Sequence, residues 1–371
     1  MQNAECRVQI QEILESAFCI LHSALRINPY LHIAAERIYN PLTDRALTAG
    51  DADFSRLRAF LDGRADGASL MDGGWVVRDG EDLSRRHLLK IVSLETLTTC
   101  NQKCYFCPVS VAPRPDEEMP VALFERIVDE LMAFRPTLDG IFLQSYNEPT
   151  IDRRFVDFVR TLFAADLPVA VLSNATGLTP QKVDALLEAG ALRYLCINLS
   201  TMDADDYKRD RGADHLAVVL RNLEYLKDKP LADDMRIVVL GELDDRHRAA
   251  FDAINDRFGG SRFNVMMHHA TDRAGWLDLG LARPQSIRKL GGCELMGSRP
   301  IQHLHITPAG KAILCCQDYD ENYVVGDVAA HSIVEVLEGD EMAKMRRWVY
   351  GVDEAPDDFI CRTCVFALQR R

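Results

Sequence analysis

The chain has 371 residues, 47% of them hydrophobic and 27% charged, an ordinary globular composition whose length points to two or three domains. Its formal net charge of −13 repels nucleic-acid phosphates and anionic lipid, which argues against a nucleic-acid binder or a membrane-surface protein. The apolar stretch Ala17–Leu25 is far short of the roughly 20 residues that span a bilayer. The opening MQNAECRVQIQEIL lacks the basic start of a secretory signal, so a cytoplasmic location is the expectation.

Residues 1–86 read as a small α+β module. Positions 4–26 carry a helical repeat, with Ile10, Ile13, Leu14, Ala17, Phe18 and Leu21 on one side. Leu31–Tyr39 and Arg45–Thr48 read as strands around the turn Asn40-Pro41-Leu42-Thr43, followed by a helix at Asp53–Leu61 and a strand at Gly74–Val77. Across residues 87–286 the rhythm changes. Strands at Leu88–Leu94, Gly140–Ser145, Pro168–Leu172, Tyr194–Leu199, Arg236–Leu240 and Arg262–Met267 alternate with helices at Val121–Phe134, Phe155–Phe163, Pro180–Ala189, Ala204–Leu226 and Arg246–Phe258. Such alternation predicts an α/β fold with parallel strands and right-handed crossovers, a partial TIM-like (β/α)6 barrel. Functional groups are then expected at the C-terminal ends of the strands. Residues 287–371 contain a hairpin, Leu304–Thr307 with Ala312–Cys315 around Pro308-Ala309-Gly310, and helices at Ile333–Leu337 and Met342–Trp348.

Eleven cysteines, with no address for an oxidising compartment, read better as metal or cluster ligands than as a disulfide framework. Cys100, Cys104 and Cys107 follow the first barrel strand. Three thiolates can hold three irons of a cubane and leave the fourth iron open to a small chelating molecule. A zinc site prefers four ligands, and this loop offers no histidine and no fourth cysteine. The segment CNQKCYFC resembles the Cys-x3-Cys-x-aromatic-Cys signature of the radical S-adenosylmethionine (SAM) superfamily, with Phe106 in the aromatic slot.

That resemblance implies a [4Fe–4S] cluster that binds SAM and cleaves it reductively to a 5′-deoxyadenosyl radical, which abstracts a substrate hydrogen. Further matches lie at successive strand ends. Ser145-Tyr146-Asn147-Glu148-Pro149 stands where the superfamily has a Gly-Gly-Glu-Pro-like motif, with the glycines replaced and Glu148 kept for the SAM amine. Ser173-Asn174 matches a Ser-Asn pair, and Ser200 with Arg211 matches a serine and arginine that contact the SAM carboxylate.

A second set, Cys293, Cys315, Cys361 and Cys364, includes Gly310-x4-Cys315 and Cys361-Arg-Thr-Cys364. It resembles the C-terminal SPASM/Twitch extension of the same superfamily. The short tail after Cys364 favours the Twitch form with one auxiliary [4Fe–4S] cluster, and a four-cysteine zinc ribbon is the rival reading. Cys316 stands where related sulfatase-maturating enzymes have a basic aspartate. Its thiol is a candidate catalytic hydrogen-atom donor, an alternative ligand or a buried side chain. Cys196, on the fourth strand, and Cys6 and Cys19 read as packing residues. His268, His269 and Asp318 read as solvated or internally bonded before they read as substrate contacts.

The resemblance implies a flavodoxin- or ferredoxin-type electron donor and either of two substrates. One is a ribosomally made peptide that receives a cross-link, a dehydrogenation or an epimerisation. The N-terminal module favours it, since it resembles modules that can bind leader peptides by strand addition; a barrel-capping extension with no ligand is the other reading of that module. The other is a small carbinol such as an aminosugar, which the Twitch form favours.

Overall fold

The computed structural model describes residues 25–280 and 286–370. The expected helix over 4–26, with Cys6 and Cys19, lies outside the described residues except at its end, where β1 (Leu25–Ile27) begins. β1 pairs antiparallel with β5 (Val76–Arg78). Between them lie β2 (His32–Ile33), β3 (Arg37–Asn40) and β4 (Arg45–Thr48), an antiparallel sheet in the order β2-β3-β4, and then α1 (Ala52–Leu61). The single strand expected over Leu31–Tyr39 is therefore two strands joined by a tight turn, which the bond from Ala34 N–H to Arg37 C=O closes at 2.9 Å. Ile38, Leu47, Phe54, Leu57 and Trp75 make a small core of their own for this module.

The central sheet carries the predicted alternation. β6 (Ile91–Leu94), β7 (Gly140–Phe142), β8 (Val169–Ser173), β9 (Leu192–Asn198), β10 (Ala232–Gly241) and β11 (Phe263–His269) run parallel, each beside the next. The crossover helices are α2 (Val121–Leu131), α3 (Phe155–Ala164), α4 (Pro180–Ala189), the pair α5 (Ala204–Arg211) and α6 (Leu216–Leu226), and α7 (Asp245–Phe258). α2 buries Phe124, Ile127, Val128 and Leu131, and α3 buries Phe155, Phe158, Val159 and Leu162. Both sets recur at i, i+3, i+4 and i+7, one apolar stripe laid on the sheet. Each such side chain contributes about 1.5–3 kcal/mol on burial.

One expected element is broken. The helix read over Ala204–Leu226 stops at Gly212, whose φ of +60° is left-handed, and restarts at Leu216. Residues 208–215, KRDRGADH, carry no apolar periodicity, and Gly212 is the local C-cap signal of the break.

The parallel sheet does not close on itself. Its first strand, β6, pairs on its far side with β13 (His303–Ile306), again parallel. β14 (Lys311–Ile313) and β15 (Val324–Asp327) then extend the sheet antiparallel to nine strands. The hairpin of the C-terminal segment is thus continuous with the barrel sheet. A two-stranded ribbon, β12 (Leu290–Cys293) with β16 (Ala367–Gln369), and the helices α8 (Arg299–Gln302), α9 (Ile333–Leu337) and α10 (Asp340–Val349) complete that segment. Among the described residues no helix is long and apolar enough to cross a membrane.

Candidate active site

The cysteine loop hangs from the C-terminal end of β6 and is tied down from three sides. The first tie is the broken helix. The carbonyls of Arg211 and Asp210, at the end of α5, accept from the N–H groups of Lys103 (2.8 Å) and Tyr105 (3.1 Å). A Cβ on Gly212 would stand 2.9 Å from Lys103 Cβ and 3.0 Å from its carbonyl oxygen, so the loop approaches the helix end as only glycine permits. The second tie is Gln102, buried, whose Nε2 donates to Tyr207 Oη at 2.6 Å. The third is Asn101, whose Oδ1 accepts from Asn174 Nδ2 at 2.9 Å.

Arg211 is 2% exposed and crosses the floor of the loop. Its Nη2 donates to Ser200 Oγ (2.8 Å) and to Asn198 Oδ1 (2.7 Å), and its Nη1 lies 3.6 Å from Cys104 Sγ. The guanidinium carbon stands 5.0 Å from the centre of the Phe106 ring, a cation–π contact. Its Nε is buried and has no acceptor. Arg211, Ser200 and Phe106, widely separated in sequence, thus form one cationic corner beside Cys104.

Glu148 is buried at the end of β7. Its Oε1 accepts from Ser173 Oγ (2.7 Å), Thr150 Oγ1 (2.5 Å) and Thr150 N–H (3.1 Å), while Oε2 accepts only from Asn174 N–H (2.6 Å). Oε2 therefore keeps capacity for another donor. Burial raises the Glu148 carboxyl above the ordinary range, against the lowering effect of these bonds. Burial likewise pushes the Cys100 thiol up to about 12. A thiol in that state becomes a ligand when a metal's charge displaces its proton.

Several supporting residues escaped the sequence reading. Glu95 is 1% exposed and forms a two-pronged pair with Arg114 (2.6 and 3.0 Å); it also accepts from Tyr146 N–H (2.9 Å). Tyr146 and Tyr319 meet edge to face at 4.7 Å, and Trp276 meets Tyr319 at 5.0 Å. With Val109 these rings pack against Cys100 and Cys107. Arg273 stands over Tyr146, its guanidinium carbon 5.7 Å from the ring centre, and its buried Nε has no acceptor. Nothing in the local sequence of Glu95, Ser93-Leu94-Glu95-Thr96-Leu97, or in the spacing of the aromatic residues is diagnostic. On the other flank, Tyr105, Ser200, Gly241 and His247 line a cavity of about 260 Å³ at the ends of β9 and β10.

Cys293, Cys315, Cys361 and Cys364, brought from three parts of the C-terminal segment, line one cavity whose other walls include Leu314, Val349 and Phe366. Arg299 enters the same cavity, 8% exposed, and its Nε too is buried without an acceptor. Sulfur-rich walls with an orphaned cationic donor suit an anionic thiolate-ligated cluster. Cys316 does not line this cavity. It is half-buried, Gln317 Nε2 lies 3.8 Å from its Sγ, and its carbonyl accepts a hydrogen bond from Tyr146 Oη.

Four other candidates stand apart from both cysteine sets. Asp318 accepts from the N–H groups of Asn322 (2.9 Å) and Tyr323 (2.8 Å), closing its own turn. Cys196 is buried within β9, and burial raises its thiol to about 11. His268 and His269 are exposed at the end of β11.

The fold and the two cysteine sites are those of an iron–sulfur protein built on a partial barrel. The radical SAM superfamily model matches residues 94–254, and the model of SPASM, an iron–sulfur cluster-binding domain, matches residues 293–365. The chain belongs to the radical SAM superfamily and carries a SPASM domain, so its cofactors are a [4Fe–4S] cluster, SAM and auxiliary iron–sulfur ligation. It is 21% identical over 282 residues, 75% of this chain and 93% of the relative, to the S-adenosyl-L-methionine-dependent 2-deoxy-scyllo-inosamine dehydrogenase of Niallia circulans. Among solved structures, Streptococcus suis SuiB bound to precursor peptide SuiA superposes with a TM-score of 0.54 at 10% identity, covering 92% of this chain and 93% of that one. BtrN in complex with AdoMet and 2-DOIA superposes with a TM-score of 0.50 at 18% identity, covering 75% and 93%.

Proposed function

We propose that this enzyme abstracts a hydrogen atom from a ribosomally synthesised peptide, leading to a cross-link, a dehydrogenation or an epimerisation. One observation carries the site: three cysteines that can leave one iron open stand beside a buried guanidinium and a buried carboxylate, each with spare hydrogen-bonding capacity. When bound, the cluster and SAM supply a 5′-deoxyadenosyl radical. Cys100, Cys104 and Cys107 hold the irons. Arg211 and Ser200 take the SAM carboxylate, Oε2 of Glu148 takes its amine, and Phe106 fixes the plane of Arg211. Ser173 and Asn174 act one step back. Ser173 orients Glu148, and Asn174 does so while tying down the cysteine loop through Asn101. The cavity lined by Tyr105, Ser200, Gly241 and His247 is placed for the nucleoside portion.

The wall of Tyr146, Tyr319, Trp276 and Arg273 shields the substrate side of the cysteine loop and excludes water from it. Cys316 lies between that wall and the four-cysteine cavity, close enough to act electrostatically on Tyr146 and Arg273 and on Cys293, Cys315 and Cys364, so it can serve as hydrogen donor or as alternative ligand. Cys293, Cys315, Cys361 and Cys364 hold one auxiliary cluster. The match of residues 293–365 to an iron–sulfur cluster-binding domain supports the cluster over the zinc ribbon.

A peptide substrate is supported by the N-terminal module. β2 is the edge of its sheet, and a groove of about 390 Å³ beside it is lined by His32, Ile33, Arg37, Asp44 and Lys90. An edge with charged flanks can receive an added strand. The dehydrogenase relative favours the second reading, oxidation of a small carbinol such as an aminosugar. Reconstituted protein with a flavodoxin-type or chemical reductant should form 5′-deoxyadenosine, and the Cys100→Ala/Cys104→Ala/Cys107→Ala variant should form none. Mass spectrometry then decides between the substrates. A mass change in a co-expressed peptide from a neighbouring short reading frame supports the first reading, and turnover of an aminosugar with no peptide change overturns it.

A further inference from the structure

We propose that Arg299 donates a hydrogen bond from Nε to a sulfur of the auxiliary cluster and holds that cluster's reduction potential up. This rests on the reading that Cys293, Cys315, Cys361 and Cys364 hold an iron–sulfur cluster.

Arg299 opens the short helix α8 and is almost fully buried. Its Nη1 donates to His303 Nδ1 at 2.8 Å and to His305 Nε2 at 3.2 Å, and its Nη2 lies 3.7 Å from Met296 Sδ. Because both imidazoles accept from the guanidinium, both are neutral and neither balances its charge. The proton of His303 sits on Nε2, which bonds Met296 C=O at 2.9 Å. Among the described residues the guanidinium's partners are these two imidazoles and the thioether, none of them a carboxylate. The Nε donor has no acceptor and belongs to a side chain that lines the four-cysteine cavity.

A lone buried cation is costly, and an orphaned buried donor adds to the cost. The cavity implies one partner that removes both costs. A [4Fe–4S]2+ core with four thiolates carries a net charge of −2, and its sulfurs accept N–H hydrogen bonds. Reduction by one electron deepens that charge, so a fixed cation and a hydrogen bond stabilise the reduced state more than the oxidised one. Two histidines hold the guanidinium at that position from behind. Arg299 is therefore a positioning and tuning residue for the auxiliary centre.

The test is a potentiometric titration followed by electron paramagnetic resonance. The full chain carries Cys100→Ala/Cys104→Ala/Cys107→Ala so that only the auxiliary signal remains. Arg299→Gln should keep the iron but lower the reduced-to-oxidised ratio at fixed potential at least tenfold, equivalent to 59 mV for one electron. Arg299→Lys keeps the charge without the planar fork and should fall between the two. If Arg299→Gln fails to load iron, Arg299→Lys decides alone: a lowered midpoint supports the proposal. Equal midpoints in the triple-cysteine parent and in its iron-loaded Arg299 variants overturn it. Absence of iron from the triple-cysteine parent overturns the underlying cluster reading, and this inference with it.

Discussion

Gly212→Ala tests whether the break in the long crossover helix serves the cysteine loop. Gly212 holds φ +60°, and an L-residue with a Cβ costs about 1–2 kcal/mol in that conformation. The new methyl would stand 2.9 Å from Lys103 Cβ and 3.0 Å from Lys103 C=O, so loop and helix must part by several tenths of an ångström. Parting them weakens the two backbone bonds from Lys103 and Tyr105, each contributing about 0.5–1.5 kcal/mol net. The sum is about 2–5 kcal/mol, most of it localised where Cys104 is held. Gly80→Ala is the control: its φ is +79° but nothing lies within 4 Å of the new Cβ, so only the backbone cost applies. Iron content and SAM cleavage should fall at least tenfold in Gly212→Ala and stay near wild type in Gly80→Ala. If Gly212→Ala keeps its iron and cleaves SAM within twofold of wild type, the assigned role of the helix break is wrong.

Arg211→Lys should weaken SAM binding at least tenfold by isothermal titration of the reconstituted protein, because an ammonium cannot serve Ser200, Asn198 and a carboxylate in one plane while stacked on Phe106. Arg114→Ala strands the buried Glu95 carboxylate and should cost about 3–5 kcal/mol by denaturant unfolding. The double variant Glu95→Leu/Arg114→Leu should recover most of that loss, less the cost of leaving Tyr146 N–H without its acceptor. Burial, with Arg37 second, lowers His32 to about 4, so the unfolded chain takes up a proton between pH 6.5 and 4 that the folded one refuses. Stability should therefore fall by about 2–3 kcal/mol as pH drops through that window, and His32→Gln should flatten the decline. An imidazole resonance titrating near 6.5 would contradict this.

Much of the site was legible in sequence because its chemistry is carried by rare residues at fixed spacing. Three cysteines in an eight-residue loop can be read without knowing what surrounds them. The same holds for the alternation of apolar strands and amphipathic helices, since burial on a parallel sheet imposes a period that the residues themselves display. The order of Glu148, Ser173-Asn174, Ser200 and Arg211 at successive strand ends was legible for the same reason.

Tertiary structure decided what depends on partners distant in the chain. The glycine that ends the first half of the helix read over Ala204–Leu226 is visible in sequence, but only the fold shows that Lys103, more than a hundred residues earlier, leaves no space for a Cβ there. Ser173 and Asn174 bond Glu148 and Asn101. The pairing of Glu95 with Arg114, and the approach of Arg299 to four cysteines drawn from three segments, have no local signature. The sequence by itself determined which chemistry the chain carries, because ligand type and spacing are written locally. Only the fold determined which charges and hydrogen-bond donors stand beside that chemistry, because electrostatic environment is set by whatever the chain brings near, however far away it lies in sequence.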